Sequence, residues 1–344
     1  MEIFTGLLII AIGAFGQSGS YVPIKKVRSW AWECFWLTQG IFAWILFPLA
    51  GALLSVPAGS SLFSIISSAG SGVALKTMCF GALWGIGGLT FGLSMRYLGV
   101  ALGQSLALGM CSAFGTLIPS LLPQLFPDAE KFSLLLAIGV SIALAGIAII
   151  GYAGALKSQN MSEEEKKKAV ADFALKKGLI IAVLAGVMSA CFNLGLNAGL
   201  KTHLVEVVKV DGLYAGLPAT MLVTFGGFIA NAVYCIYQNI KNKTGRQYFS
   251  VSTKTLLNNL LFCAIAGGLW YSQFFGLGVG QSFLTGNPTM LAFSFSILMS
   301  LIVLFSNVWG IILKEWTGVG TKTIVTLVIG LAVLIFSIVF PQIV

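Results

Sequence analysis

Apolar residues arrive in blocks of about twenty along nearly the whole chain, and that rhythm confines it to a membrane. About twenty apolar residues in a helix cross roughly 30 Å of hydrocarbon. The blocks predict ten spans, near 3–22, 34–55, 76–97, 99–122, 132–152, 178–200, 212–237, 255–278, 288–311 and 322–341. A segment in lipid must satisfy its own backbone donors and acceptors, so the expected fold class is all-α. Composition agrees. Only 9% of the residues are charged, too few to cover a soluble surface, where about 25% is usual. The spans leave no room for a second domain. The N-terminal block carries only Glu2 as a charge, without the basic flank of a signal peptide, and reads as the first span.

A net charge of +9 would suggest a nucleic-acid partner in a soluble protein. Its placement gives another answer. Sixteen of the 20 Lys and Arg fall in loops after odd-numbered spans: Lys25, Lys26, Arg28, Arg96, Lys157, Lys166, Lys167, Lys168, Lys176, Lys177, Lys241, Lys243, Arg246, Lys254, Lys314 and Lys322. Only Lys76, Lys131, Lys201 and Lys209 follow even-numbered ones. Cationic loops stay cytoplasmic, so both termini are predicted to face outward. No nucleic-acid partner is expected; the lipid bilayer is. The six cysteines sit in or beside apolar spans without metal-type spacing and read as small buried hydrophobes, so no metal site is expected.

The longest polar interruption, 155–177, holds Glu163-Glu-Glu-Lys-Lys-Lys168 and divides the spans five and five. It reads as a cytoplasmic linker, either a short surface helix or a solvated strand of chain. Residues 1–154 and 178–344 then form two five-helix repeats. Gly6-Leu-Leu-Ile-Ile-Ala11 opens the first and Gly178-Leu-Ile-Ile-Ala182 the second. Gly81-Ala-Leu-Trp84 in the third span matches Gly267-Gly-Leu-Trp270 in the eighth. An odd number of crossings per repeat makes the second sit inverted, a transporter plan with its site near mid-membrane. Gly81/Gly85, Gly88/Gly92, Gly99/Gly103 and Gly195/Gly199 have the small-xxx-small spacing of close helix packing. Gly85-Ile-Gly-Gly88 is denser than packing requires and would loosen the third helix beside a site.

No acid lies in the middle of a span, and the single histidine, His203, is predicted in a loop. Mid-depth ionisable groups mark many ion paths. Paired acids, a histidine metal cluster and a Ser–His arrangement are also missing, which argues against an enzyme or a bound cofactor. No charge ring or filter loop suggests an ion channel. A neutral solute is the expected cargo.

The spans do carry amides and aromatics. Asn193 and Asn197 are four apart, on one expected face of the sixth span. Trp270 and Gln273 are three apart in the eighth, with Tyr271 adjacent. Gln17 and Tyr21 share a face late in the first, and Trp84 is mid-span in the third. Amides donate and accept, and aromatic faces suit the C–H surface of a sugar; interhelical bonding and lipid packing are the competing uses. Trp30, Trp32 and Trp36 read as an interfacial belt. Glu33 and Glu315 lie at expected cytoplasmic helix ends beside Trp32 and Trp316, with Lys25, Lys26 and Arg96 on the same side. They read as surface ion pairs, or as a cytoplasmic gate or proton-coupling site.

The strings Tyr21-Val-Pro-Ile-Lys-Lys-Val27, Trp30-Ala-Trp-Glu33, Gly81-Ala-Leu-Trp-Gly-Ile-Gly87, Met95-Arg-Tyr-Leu-Gly99, Gly268-Leu-Trp270, Gln273-Phe-Phe275 and Leu313-Lys-Glu-Trp316 run over most of the chain. In these the sequence resembles the bacterial L-rhamnose–proton symporter family, within the drug/metabolite transporter superfamily. The resemblance implies proton-driven import of L-rhamnose across the inner membrane by a ten-helix, five-plus-five fold; the charge placement then puts both termini on the periplasmic side. It adds the particular sugar and the proton to what the residues themselves indicate. Two other readings stay open in transport: an exporter of the same superfamily, or an importer of another sugar such as L-fucose. A sensor would need an output domain, and only the 155–177 linker is spare.

Overall fold

The protein is described by a computed structural model covering residues 2–98, 100–159, 175–312 and 316–343. Among these residues all regular structure is helical. The helices are α1 (Glu2–Ser18), α2 (Trp32–Leu53), a short α3 (Leu62–Ser68), α4 (Ser71–Leu98), α5 (Val100–Leu121) and α6 (Leu134–Gln159). They continue with α7 (Leu175–Leu196), a short α8 (Leu200–His203), α9 (Leu217–Asn242), α10 (Thr253–Ser282), α11 (Pro288–Ile312) and α12 (Thr321–Ile343). Nine of the described helical segments are long and apolar enough to cross a membrane. In α5 the apolar stretch described as such is the shorter Leu106–Leu121. The central part of the 155–177 linker lies outside the described residues.

Two compact units form, and neither is a sequence half. The first takes Met1–Gly85 and Gly195–Phe283; the second takes Ile86–Leu194 and Leu284–Val344. Each therefore gathers a piece from either side of the linker.

In the first unit, backbone meets backbone along glycine seams. Gly13 and Gly16 of α1 lie against Ser272 of α10, whose hydroxyl donates to the Gly13 carbonyl at 2.9 Å. From α10, Gly276 and Gly280 face the Ile9 and Gly6 carbonyls in return. A Cβ on Gly81 of α4 would collide with the Val223 backbone of α9, its nearest Cα 2.8 Å away. One on Gly267 of α10 would sit 2.7 Å from the Phe42 Cβ and 3.0 Å from the Ala43 nitrogen of α2. Without a hydrophobic drive between helices in lipid, such close approach supplies the attraction.

Two stretches of this unit are not plain α-helix: a π-turn over Leu204–Val208 that follows α8, and one inside the long helix α2. Pro48 has no N–H for the Trp44 carbonyl four residues back, and its ring crowds that carbonyl. The chain adapts with a π-turn over Phe42–Leu46, closed by the Phe47 N–H on the Phe42 carbonyl. The extra residue in that turn brings Trp36 and Trp44, eight apart, onto one face.

The second unit is closed by side chains as well as glycines. Gly146 of α6 receives Leu334 of α12, and Gly330 of α12 receives Ile150 of α6. Ile147, Ile150, Ala153, Val303, Leu327 and Leu334 form its core cluster. Gly139 and Gly115 make room for the rings of Phe293 and Phe295 on α11.

Candidate functional site

Indoles from three helices meet in the first unit: Trp44, Trp84 and Trp270 near the middle of their helices, and Trp36 nearer the start of α2. Trp44 of α2 is central: its ring stands edge-on to Trp36 at 5.6 Å, to Trp84 of α4 at 6.1 Å and to Trp270 of α10 at 5.6 Å. Trp84 and Trp270 lie 5.6 Å apart at 38°, and Phe274 packs edge-on against both. Glycine makes the space. A Cβ on Gly40 would sit 2.7 Å from the Trp44 ring, and one on Gly227 would overlap Trp84.

The rim of this cage is polar. Trp36 Nε1 donates to Asn231 Oδ1 at 2.9 Å, and Asn231 Nδ2 donates to the carbonyls of Gly227 at 2.9 Å and Gly85 at 3.3 Å. Asn231 thus pins α9 to α2 and α4. Other buried polar atoms in the unit have no hydrogen-bond partner among the described residues: Gln17 Oε1, Gln39 Oε1, Trp44 Nε1 and the Tyr271 hydroxyl. In hydrocarbon an unmet polar group is costly.

The expected site residues divide accordingly. Trp84 and Trp270 come together as the repeat string suggested. Gln273 is buried one turn along α10, its Nε2 donating to the Trp270 carbonyl at 3.0 Å, close to Gly13 of α1. Tyr271 points elsewhere, its hydroxyl lying against Gly51 of α2. Gln17 is half-buried near the end of α1, but Tyr21 lies beyond that helix in a turn and is 55% exposed, so the two do not share a helical face. Asn193 and Asn197 do not share one either. The helix ends at Leu196, and Gly199 turns the chain through a left-handed φ of 106°. Asn193 belongs to the second unit, where Nδ2 donates to the Gly115 carbonyl at 2.7 Å.

The reading of Trp36 as a belt residue fails: it is half-buried, tied to Asn231 and part of the cage, while Trp32 stacks on its outer side at 5.3 Å. Trp44, Gln39 and Asn231 were missed. Their signal was a polar-capable side chain in the middle of an apolar span, the same signal that singled out Trp84.

Glu33 is the only acidic side chain buried among the described residues, 5% exposed. It is not a surface ion pair. Oε1 accepts from Thr244 Oγ1 at 2.7 Å and Asn242 Nδ2 at 3.0 Å, two neutral donors suited to an ionised carboxylate. A knot of further bonds surrounds it. Trp30 Nε1 donates to the Gln247 carbonyl, the Ala31 N–H to Gln247 Oε1, and Asn239 Nδ2 to the Tyr248 hydroxyl. Burial pushes the Tyr248 phenol up to about 12, so it stays protonated. Lys26 is exposed; it offers its carbonyl to Asn258 Nδ2 at 2.9 Å. Glu315 and the side chain of Arg96 lie outside the described residues.

An all-helical membrane protein with an internal aromatic cage and a buried carboxylate at one helix start has the parts of a solute carrier. Residues 1–342 match the L-rhamnose-proton symport protein family (RhaT), and the chain belongs to it. It is 34% identical over 343 residues to the L-rhamnose-proton symporter of Yersinia pestis (strain Pestoides F), covering 97% of this chain and 96% of that one. It is equally 34% identical over 342 residues to the L-rhamnose-proton symporter of Mannheimia succiniciproducens, covering 98% and 96%.

Proposed function

We propose that this multi-pass protein imports L-rhamnose by proton symport across the bacterial inner membrane, with the cage of Trp44, Trp84, Trp270 and Phe274 as its sugar site. The carrying observation is that cage, placed mid-span in a chain of this family. Indole faces match the C–H face of a pyranose, and the apolar surround suits the 6-methyl group of a deoxy-sugar. L-mannose differs by a hydroxyl there, and a pocket of this kind rejects an added hydroxyl by about a hundredfold at most. The decisive experiment is uptake of labelled L-rhamnose, L-fucose and L-mannose into proteoliposomes, with and without an imposed pH gradient. Gradient-driven accumulation of L-rhamnose in preference to the others is expected; transport of none of them overturns the reading.

The ten-span inverted repeat belongs to the same proposal. Under it span two is equivalent to seven and three to eight. Gly81 on the third span against the backbone of the seventh is then the counterpart of Gly267 on the eighth against the second. Gly13 against Ser272 and Gln273 likewise pairs with Gly87 against Met188 and Ser189. Both termini are periplasmic in this arrangement. Cysteines introduced at Ser158 and Gln342 should react oppositely with an impermeant thiol reagent in intact cells, above the background of the native exposed Cys79. Equal labelling refutes the topology.

Gln273 lies on the flank of the helical face that carries Trp270 and is proposed to contact the sugar. Gln273→Leu keeps volume and removes the amide, which should weaken L-rhamnose binding by about 1–3 kcal/mol, roughly ten- to a hundredfold. Unchanged uptake kinetics would remove Gln273 from the site.

A further inference from the structure

The π-turn, the buried indole at its centre and the amide one turn before it belong to one device. A π-turn in a long helix is rare and concentrates at functional places. Here it spans Phe42–Leu46 and includes Trp44, which is 4% exposed. Its Nε1 is a donor with no acceptor among the described residues, although the ring itself is fully engaged with Trp36, Trp84 and Trp270. The ring is held by edge-to-face contacts while its one polar atom has no acceptor among the described residues. Gly40, directly beneath the ring, allows the indole to fold back onto its own helix.

Gln39 supplies the complementary atom. It is 3% exposed, and Oε1 has no donor among the described residues. Three residues from Trp36, it shares that helix face, and the residue absorbed by the π-turn brings Trp44 close to the same face one turn on. A regular α-helix would turn Trp44 about 80° away from Trp36. One strip of α2 therefore carries both an unmet donor and an unmet acceptor. Adjacent hydroxyls of a sugar, each able to donate and accept, are the chemistry that matches it.

We propose that Trp44 and Gln39 are the hydrogen-bonding pair that orients the sugar in the cage, with the π-turn placing them. The inference rests on the reading of the cage as the sugar site. Stacking on indoles tolerates many pyranoses, so the pair determines which hydroxyl pattern is accepted.

The test is equilibrium binding of L-rhamnose and its 2-, 3- and 4-deoxy analogues to the purified full chain in detergent, native and with Trp44→Phe or Gln39→Leu. Phenylalanine keeps an aromatic face and removes the N–H. Each substitution should lower L-rhamnose affinity about ten- to a hundredfold. At least one deoxy analogue should bind the native protein that much more weakly, yet lose little further on a variant. Native-like L-rhamnose affinity in both variants, each eluting as a single folded species, overturns the pair while leaving the cage as the site. Should a variant fail to fold, the analogues decide on native protein: equal affinity for all of them overturns the proposal. No binding of L-rhamnose by native protein defeats the underlying reading as well, and is distinguishable from both.

Discussion

Replacing Glu33 by glutamine is expected to abolish pH-driven accumulation of sugar while downhill exchange continues. Symport needs a group whose proton affinity changes with conformation or with bound sugar. Glu33 is proposed for that role because it is the one buried acid among the described residues, at the start of α2. Its environment depends on contacts that a moving helix end would break: Thr244 and Asn242 donate to it from the chain segment at and beyond the end of α9. Both donors suit a carboxylate, and a conformation that withdraws them would leave that buried oxygen without hydrogen-bond partners. Glutamine retains a carbonyl oxygen for those donors and mimics the protonated state, so folding should survive. Counterflow of labelled L-rhamnose should stay near the native rate, while uptake against its gradient falls to background. Full uphill transport by Glu33→Gln would make the carboxylate a purely structural tie, in which case Glu33→Ala, which strands two donors, should still damage stability.

A second large effect is expected from Gly81→Val, which should yield little folded protein. The added Cβ runs into the Val223 backbone, which cannot turn aside as a flexible side chain would. Overpacking typically costs about 1–3 kcal/mol, and backbone collision lies at or above the upper end. Gly88→Ala is the control: outside its own turn of helix, no atom of the described residues lies within 4 Å of a Cβ there, and alanine is the better helix former by roughly 1 kcal/mol. Size-exclusion profiles and thermal melts in one detergent compare the two. A Gly81→Val protein as monodisperse and heat-stable as native would remove the seam from the account of the fold.

That contrast also shows what could be read from the chain. Gly81/Gly85 and Gly88/Gly92 have identical spacing in sequence, yet Gly81 and Gly85 meet the α9 backbone while Gly88 meets no other helix among the described residues. Gly195/Gly199 separates further: Gly195 packs on Val223, whereas Gly199 is needed for its left-handed turn. Spacing identifies candidate faces, and only the neighbouring helix decides which face is used. Nine spans among the described residues were readable because apolar length alone sets them. Trp84 and Trp270 were readable through the repeated string. Trp44 was not: α-helical spacing separates it from Trp36, and the π-turn that joins them was recorded in the sequence only as Pro48. For Glu33 a surface ion pair and a gate both stayed open in the sequence, because its partners, Asn242 and Thr244, are more than two hundred residues away.

The cage has an optical consequence. Four of the eight tryptophans, Trp36, Trp44, Trp84 and Trp270, lie with ring centres linked by steps of 5.6–6.1 Å. Indoles this close share excitation energy and couple as chromophores, so their emission and circular dichroism report the cluster and not isolated rings. At the proposed site, a sugar inserted among them would alter polarity at Trp44 Nε1 and the coupling between rings together. Native fluorescence and near-ultraviolet dichroism should then follow occupancy without any label, and a silent Trp44→Phe spectrum would single out the indole that senses it.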